Sequence, residues 1–391
     1  MSFTFTGSYF IIFIPVMETN SHHIVRRIKA AGGGILAGLL LCELALRIYN
    51  PSPAAVRNGH LILPANQKKV FSNTWISKLD TKIFYSRNSL GFRGPEPPAE
   101  ISNLMSVITV GGSTTECKFL SDSCTWPARL YQRLHQEHPD FWLNNAGIDG
   151  HTTFGHLLLV KEYILKIKPK YILLMTGVND VELDQPDEFD RMSEKKINTS
   201  SARMLLKSLA GHTELGRAFL NYFQLRAASR KGLAHREIDF RKLVDNPLAD
   251  SIMNLRLKAQ LPYLKGYGKR LDSLVRLCQQ AGITPILVTQ PSLYGVYTDP
   301  ATGVTVGGNW FANDPNGENC RLMESVLESY NDVLRSFSGR VPVIDLSRQM
   351  PKNSAFFYDF THFTNAGASQ AAAILDIELR KILFPSHSPN K

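Results

Sequence analysis

Four short stretches of the sequence carry reactive or hydrogen-bonding groups set beside small residues. Ser113 lies in ITVGGSTTEC (108–117), Gly150 in NAGIDGHTT (145–153), Asn179 in TGVND (176–180), and Asp359 with His362 in YDFTHFTNAG (358–367). A serine hydroxyl is a weak nucleophile until a histidine takes its proton, and that histidine works best when a carboxylate fixes its tautomer. A glycine lets backbone approach a substrate closely, and an asparagine amide donates hydrogen bonds without titrating. A nucleophile, a base, an orienter for the base and donors for a developing oxyanion are the parts that acyl transfer needs. Each stretch alone is weak, because short motifs recur by chance. Asn179 and Asp180 have the alternative reading of capping a turn, and His362 that of decorating the start of a helix.

The elements that would position these residues follow from apolar patterning. Short apolar runs predict strands at 104–110, 141–147, 171–177, 283–291 and 341–346. Helical spacing predicts helices over 126–138, 154–167, 263–282, 320–337 and 365–384, with Pro127 suited to a first turn and Gly282 to a helix end. Strands alternating with helices give a parallel sheet covered on both faces. Right-handed crossovers then favour a flavodoxin-like three-layer α/β/α sandwich with five parallel strands. Sites in such sheets form beyond the carboxyl ends of the strands, where all four stretches fall.

The order and context of the four blocks resemble the SGNH (GDSL-like) hydrolase family, whose blocks are matched by GGST, NAGIDG, GVND and DFTH. The resemblance covers about residues 104–180 and 341–384, with the fourth strand between. It extends to bacterial membrane-anchored members through the N-terminal helix, the NSLGFRG segment (88–94) and a helical insertion before the fourth strand. It implies Ser113 as nucleophile, His362 as general base and Asp359 as the group that orients the imidazole. It also implies an oxyanion hole made of the Ser113 and Gly150 backbone N–H groups and the Asn179 amide. In the family's best-known first block an aspartate precedes the serine; here that position is Gly112. His151 and His156 read as rim or packing residues and Glu116 as solvated or capping. Cys117 and Cys124 read as free thiols rather than a disulfide. No metal or cofactor is expected.

The remainder of the chain places this domain. The chain has 391 residues, 43% of them hydrophobic, and a formal net charge of +10. Such a charge attracts nucleic acid, anionic lipid or acidic polymers. No zinc-finger, RNP-like or Walker A pattern is present, so nucleic acid is not expected as a partner. Residues 30–49 are almost wholly apolar, long enough to cross a bilayer, and interrupted only by Glu43 and Arg47, a favourable i,i+4 pair. Arg26, Arg27 and Lys29 precede them with no acid among them, predicting a cytoplasmic N-terminus (1–29) and an extracytoplasmic, periplasmic remainder on a single-pass anchor. An uncleaved anchor is favoured over a signal peptide, because the small residues Ser52 to Ala54 lie well beyond the apolar run. Met17, opening a short basic lead-in, is read as the true start.

Residues 50–100 read as a stalk packing partly on the domain, and 101–386 as the hydrolase-like domain with a basic helical insertion at about 185–260. Between 190 and 260 the sequence has fourteen Lys/Arg against seven Asp/Glu, and 202–228 alternates apolar and basic residues at helical spacing. That insertion reads as a solvated cover of the sheet, or as a surface lying on anionic lipid. The expected function is a membrane-anchored esterase removing short acyl groups, acetyl foremost, from an envelope carbohydrate. An O-acyltransferase using the same site and a catalytically silent glycan-binding module are the alternatives.

Overall fold

In the computed structural model, residues 21–49, 55–57, 60–186, 213–216, 218, 235–311 and 319–385 are described. The expected start at Met17, the small residues 52–54 and nearly all of the 202–228 pattern lie outside them. Helix α1 (Ser21–Tyr49) contains Val25–Ile48, with a mean hydropathy of 1.7, long and apolar enough to cross a membrane. Arg47 and Glu43 pair at 2.8 Å, as their spacing predicts. Glu43 also accepts the backbone N–H groups of Glu214 (3.0 Å) and Leu215 (2.9 Å), so α1 touches the insertion.

After the antiparallel hairpin β1 (Gln67–Ser72) and β2 (Lys82–Arg87), the chain enters its central sheet. The chain order of elements is β3 (Met105–Gly111), α2 (Ser113–Glu116), α3 (Trp126–Glu137), β4 (Phe141–Asn145), α4 (Thr153–Leu159), β5 (Tyr171–Met175), α5 (Asp250–Ala259), α6 (Leu261–Gln280), β6 (Thr284–Val288), α7 (Cys320–Arg335), β7 (Val343–Ile344) and α8 (Asn365–Leu383). The five core strands lie in the order β7-β6-β5-β3-β4, every neighbouring pair parallel. The chain reverses direction across the sheet between β3 and β5, the switch point at which α/β sheets open a crevice.

Near-continuous apolar strands follow from burial on both faces. Val107, Leu143, Leu173, Met175, Ile286 and Val288 face one core with α3 and α8. Ile108, Val110, Trp142, Ile172, Leu174 and Leu287 face the other with α4, α6 and α7. Period-two alternation thus splits each strand between two cores, and neither face is left for water. Capping follows the sequence. Thr125 and Thr364 accept backbone N–H groups at the starts of α3 and α8, and Gly282 (φ +76°) lies just past the end of α6.

Except for β3, which runs through Gly111, the strands are shorter than their apolar runs, because the last residues of those runs leave the ladder to build loops at one edge. The predicted helix over 154–167 is interrupted by a π turn at Val160–Ile164. Residues 60–98 pack closely on the domain. Ile76 and Leu79 enter one core, Leu61, Leu63 and Phe92 the other. Arg93 exchanges backbone hydrogen bonds with Asn145 at 2.9 and 2.8 Å, closing the outer edge of β4.

Candidate active site

Ser113 opens a single helical turn directly after β3, in which Thr115 and Glu116 donate to the carbonyl of Gly112 at 3.0 and 2.9 Å. The turn ends at Cys117 in the left-handed region (φ 51°). Asn145 ties the next loop to this turn: its amide donates to the Thr115 carbonyl at 2.7 Å and its oxygen accepts Gly147 N–H at 2.9 Å. Gly150, in that loop, has φ +75°, a conformation that glycine adopts without strain.

Ser113, His362 and Asp359, from opposite ends of the domain sequence, meet beyond the sheet edge. His362 Nε2 is 2.8 Å from Ser113 Oγ, and His362 Nδ1 is 2.7 Å from Asp359 Oδ2. The other oxygen of Asp359 accepts the backbone N–H groups of Thr361 (2.9 Å) and His362 (2.7 Å), which fixes the carboxylate. A carboxylate only accepts, so Nδ1 carries the ring proton and the Nε2 lone pair faces the serine hydroxyl. All three side chains are buried. Burial alone would depress the His362 pKa. The Asp359 charge and hydrogen bond, joined by the charge of Asp149, outweigh it and raise the pKa above the usual 6.5.

Asn179 sits in a short turn after β5, and its Nδ2 donates to the His151 carbonyl at 2.9 Å. An amide nitrogen has two N–H bonds. One fixes the group, and the amide lies beside the backbone of Gly112. Asp180 has the capping role: it accepts Thr153 N–H at 3.0 Å at the start of α4 and pairs with Arg270 at 3.3 Å.

His151 and His156 are buried, and burial pushes their pKa values down to about 3 and about 4. Both are neutral packing groups behind the loop. Cys117 and Cys124 are free thiols. Burial pushes Cys117 up to about 12, which makes it a poor nucleophile.

The reading of Glu116 as solvated or capping is corrected. Glu116 is buried. It accepts from Arg87 and Tyr85 at 2.7 Å each and from the backbone N–H of Asp149 at 2.6 Å. Tyr85 and Arg87 come from β2. With their segment read as a stalk, the sequence offered no partner for this acid.

Three further residues surround His362. The His235 ring lies 4.2 Å from that of His362, the Tyr358 ring stacks on it at 5.5 Å, and Asp149 lies within hydrogen-bonding reach of His235. Asp149 was visible inside the NAGIDG block but carried no signal of its own. His235 lies within the basic insertion, and nothing local in the sequence connects it to His362. Beside Ser113, a cavity of about 10 Å³ is lined by Cys117, Phe119, Leu120, Tyr358 and Phe363. It has room for about one water-sized group.

A buried serine, histidine and carboxylate at hydrogen-bonding distances, at the carboxyl edge of a doubly covered parallel sheet, define a serine ester hydrolase of the α/β/α class. Residues 108–369 match the GDSL-like Lipase/Acylhydrolase family, and the chain belongs to it.

The chain is similar to several solved structures at low identity. A putative lipolytic protein of the G-D-S-L family from Desulfitobacterium hafniense is 11% identical (TM-score 0.37; 70% of this chain, 98% of that one). A GDSL-like lipase from Bacteroides thetaiotaomicron is 10% identical (TM-score 0.36; 74% and 91%). The acetylxylan esterase Axe2 from Geobacillus stearothermophilus is 14% identical (TM-score 0.38; 73% and 97%). No curated protein sequence matches the chain.

Proposed function

We propose that this protein is a membrane-anchored serine esterase that removes short acyl groups, acetyl foremost, from an envelope carbohydrate through an acyl-enzyme on Ser113. The observation that carries this reading is the unbroken contact from Ser113 Oγ through His362 to Asp359. As the hydroxyl attacks the ester carbonyl, its proton passes to Nε2 of His362, and Asp359 stabilises the imidazolium. The oxyanion is held by the backbone N–H groups of Ser113 and Gly150 and by the amide of Asn179. Collapse expels the sugar oxygen, which takes the proton from His362 and leaves as a hydroxyl. Water then attacks the acyl-enzyme by the same route and releases the carboxylic acid.

The small cavity walled by Phe119, Leu120, Tyr358 and Phe363 supports a short acyl group, since about one methyl-sized group fits. The net charge of +10 supports an acidic surface polymer as its carrier. The apolar stretch of α1 and the basic residues Arg26, Arg27 and Lys29 near its start support an anchor with the catalytic domain outside the cytoplasm.

The test is a chain-length panel of chromogenic esters together with mass spectrometry of treated envelope polysaccharide. Acetate is expected to be cleaved faster than butyrate and far faster than chains of eight or more carbons, and the glycan is expected to lose acetate. Preference for long chains would overturn the substrate assignment, and acetate gained by the glycan from a donor would identify a transferase. A reporter active only outside the cytoplasm, fused after Lys391, is expected to give signal. Signal from a cytoplasm-only reporter would reverse the topology.

A further inference from the structure

We propose that His235 and Asp149 form a second imidazole–carboxylate pair that positions the catalytic base, with His235 covering one face of His362 and Asp149 presenting a second negative charge to it. The proposal rests on the assignment of His362 as the base. It concerns how that base is held rather than which groups react.

The geometry is that of a fully used side chain. The His235 ring lies 4.2 Å from the His362 ring at an interplanar angle of 40°, and meets Phe119 edge-on at 4.7 Å. Its Nε2 is 3.4 Å from both carboxylate oxygens of Asp149, and its Nδ1 is 2.7 Å from the Tyr358 hydroxyl. The carboxylate can only accept, so Nε2 carries the proton; Nδ1 then accepts from the phenol, which burial keeps protonated. Both bonds are satisfied by a neutral imidazole. A neutral ring can lie against the His362 imidazolium without repulsion, whereas a charged one could not.

Asp149 is itself fixed from two sides. Its backbone N–H is held by Glu116 at 2.6 Å, and its carboxylate lies 3.6 Å from Lys118 Nζ. Burial would raise its pKa. Its interaction with His235, first of all, and the charge of Lys118 instead hold it well below the usual carboxylate range. Among the described residues, the titratable and charged groups around His362 are therefore Asp359 on its own loop and Tyr358 before it, Asp149 on the Gly150 loop and His235 within the insertion. Cys117 and Lys118 follow the Ser113 turn, and Lys78 lies behind Asp359. Asp149 is the second carboxylate whose charge favours the protonated base. Because it directly precedes Gly150, the same restraint places the proposed oxyanion loop.

This arrangement makes two demands of the pH profile. An anion near the base raises its pKa and also stabilises the imidazolium formed during attack. Removing it should therefore move the acid limb of kcat/KM to lower pH and lower the plateau. A role confined to folding would lower activity without moving the limb.

The test measures kcat and KM against pH for short-chain ester hydrolysis by the full chain. Asp149→Asn is expected to shift the acid limb down by about one pH unit and to lower the plateau about tenfold, with KM little changed. Lys118→Gln, at a partly exposed site, removes the neutralising partner of Asp149 and is expected to shift the limb the opposite way. His235→Phe keeps a ring against His362 but drops both hydrogen bonds. It should lower the plateau while moving the limb less than Asp149→Asn, because the carboxylate charge remains, and the Asp149→Asn, His235→Phe double variant should be little worse than the worse single one.

An acid limb unmoved in both Asp149→Asn and Lys118→Gln overturns the proposal, as does a rise in KM with kcat unchanged. If Asp149→Asn does not fold, the sign of the Lys118→Gln shift decides. Reaction of the wild-type serine with a fluorophosphonate, lost in Ser113→Ala, is run in parallel. Its absence would sink the catalytic assignment itself, a result distinct from unmoved pH limbs in an enzyme that labels normally.

Discussion

A Cβ placed on Gly112 would lie 2.4 Å from Nδ2 of Asn179, closer than atoms of two side chains can approach. The residue before the serine is thus small because the amide of the third block occupies the space a side chain would need. Gly112→Ala is expected to swing Asn179 away from its 2.9 Å bond to the His151 carbonyl and to remove one oxyanion donor. The kcat should fall by about 10²–10³ with little change in KM, as for Asn179→Ala, and the two changes together should cost hardly more than one. A pure KM effect in steady-state kinetics would instead make Asn179 a ground-state contact.

Ser113→Ala and His362→Ala should each abolish ester hydrolysis and leave the fold intact, since both side chains lie at the sheet edge rather than in either apolar core. Because serine and base act as one unit, the double variant should be hardly worse than either single variant. Losses that add in that comparison would dissolve the unit. Asp359→Asn should be less damaging than loss of Ser113 but still severe, since the imidazole loses its orientation.

Activity and stability should respond to His362 with opposite signs. The folded protein favours the protonated imidazole, its pKa lying above 6.5. Catalysis needs the neutral form, so kcat/KM should fall as pH drops through a midpoint above 6.5. The stability contributed by this group is fully present below the unfolded pKa and is lost as pH rises through the folded one. A rate profile flat across pH 5–8, with acylation rate-limiting, would be incompatible with a histidine base.

Glu116→Ala removes the acceptor shared by Arg87, Tyr85 and the Asp149 backbone and leaves a buried guanidinium without its anion. The expected loss is about 3–5 kcal/mol in denaturant unfolding, the usual cost of breaking one side of a buried ion pair. Arg87→Met in the same chain should recover part of it. If Glu116→Ala unfolds like wild type, the network contributes no net stability.

The α/β/α class, the five strands with their helices and the four blocks at one sheet edge were legible in the residues, because each rests on local signals. Apolar runs fixed by burial on two faces, caps such as Thr125 and Thr364, and small residues at strand ends all act over a few positions. The carboxylate's place three residues before His362 was legible for the same reason. What the sequence could not show were contacts between segments far apart along the chain. Glu116 looked like a surface acid because its partners, Tyr85 and Arg87, lie on a hairpin whose docking depends on both cores. Asp149 carries no local signal, since its side-chain contact is with His235. His235 reaches His362 because this part of the insertion crosses the same sheet edge, pinned by the Ile238 N–H to the Tyr358 carbonyl at 2.9 Å. Short-range periodicity determines which element a residue joins, while the partner of a buried charge or ring is decided by packing across the whole domain.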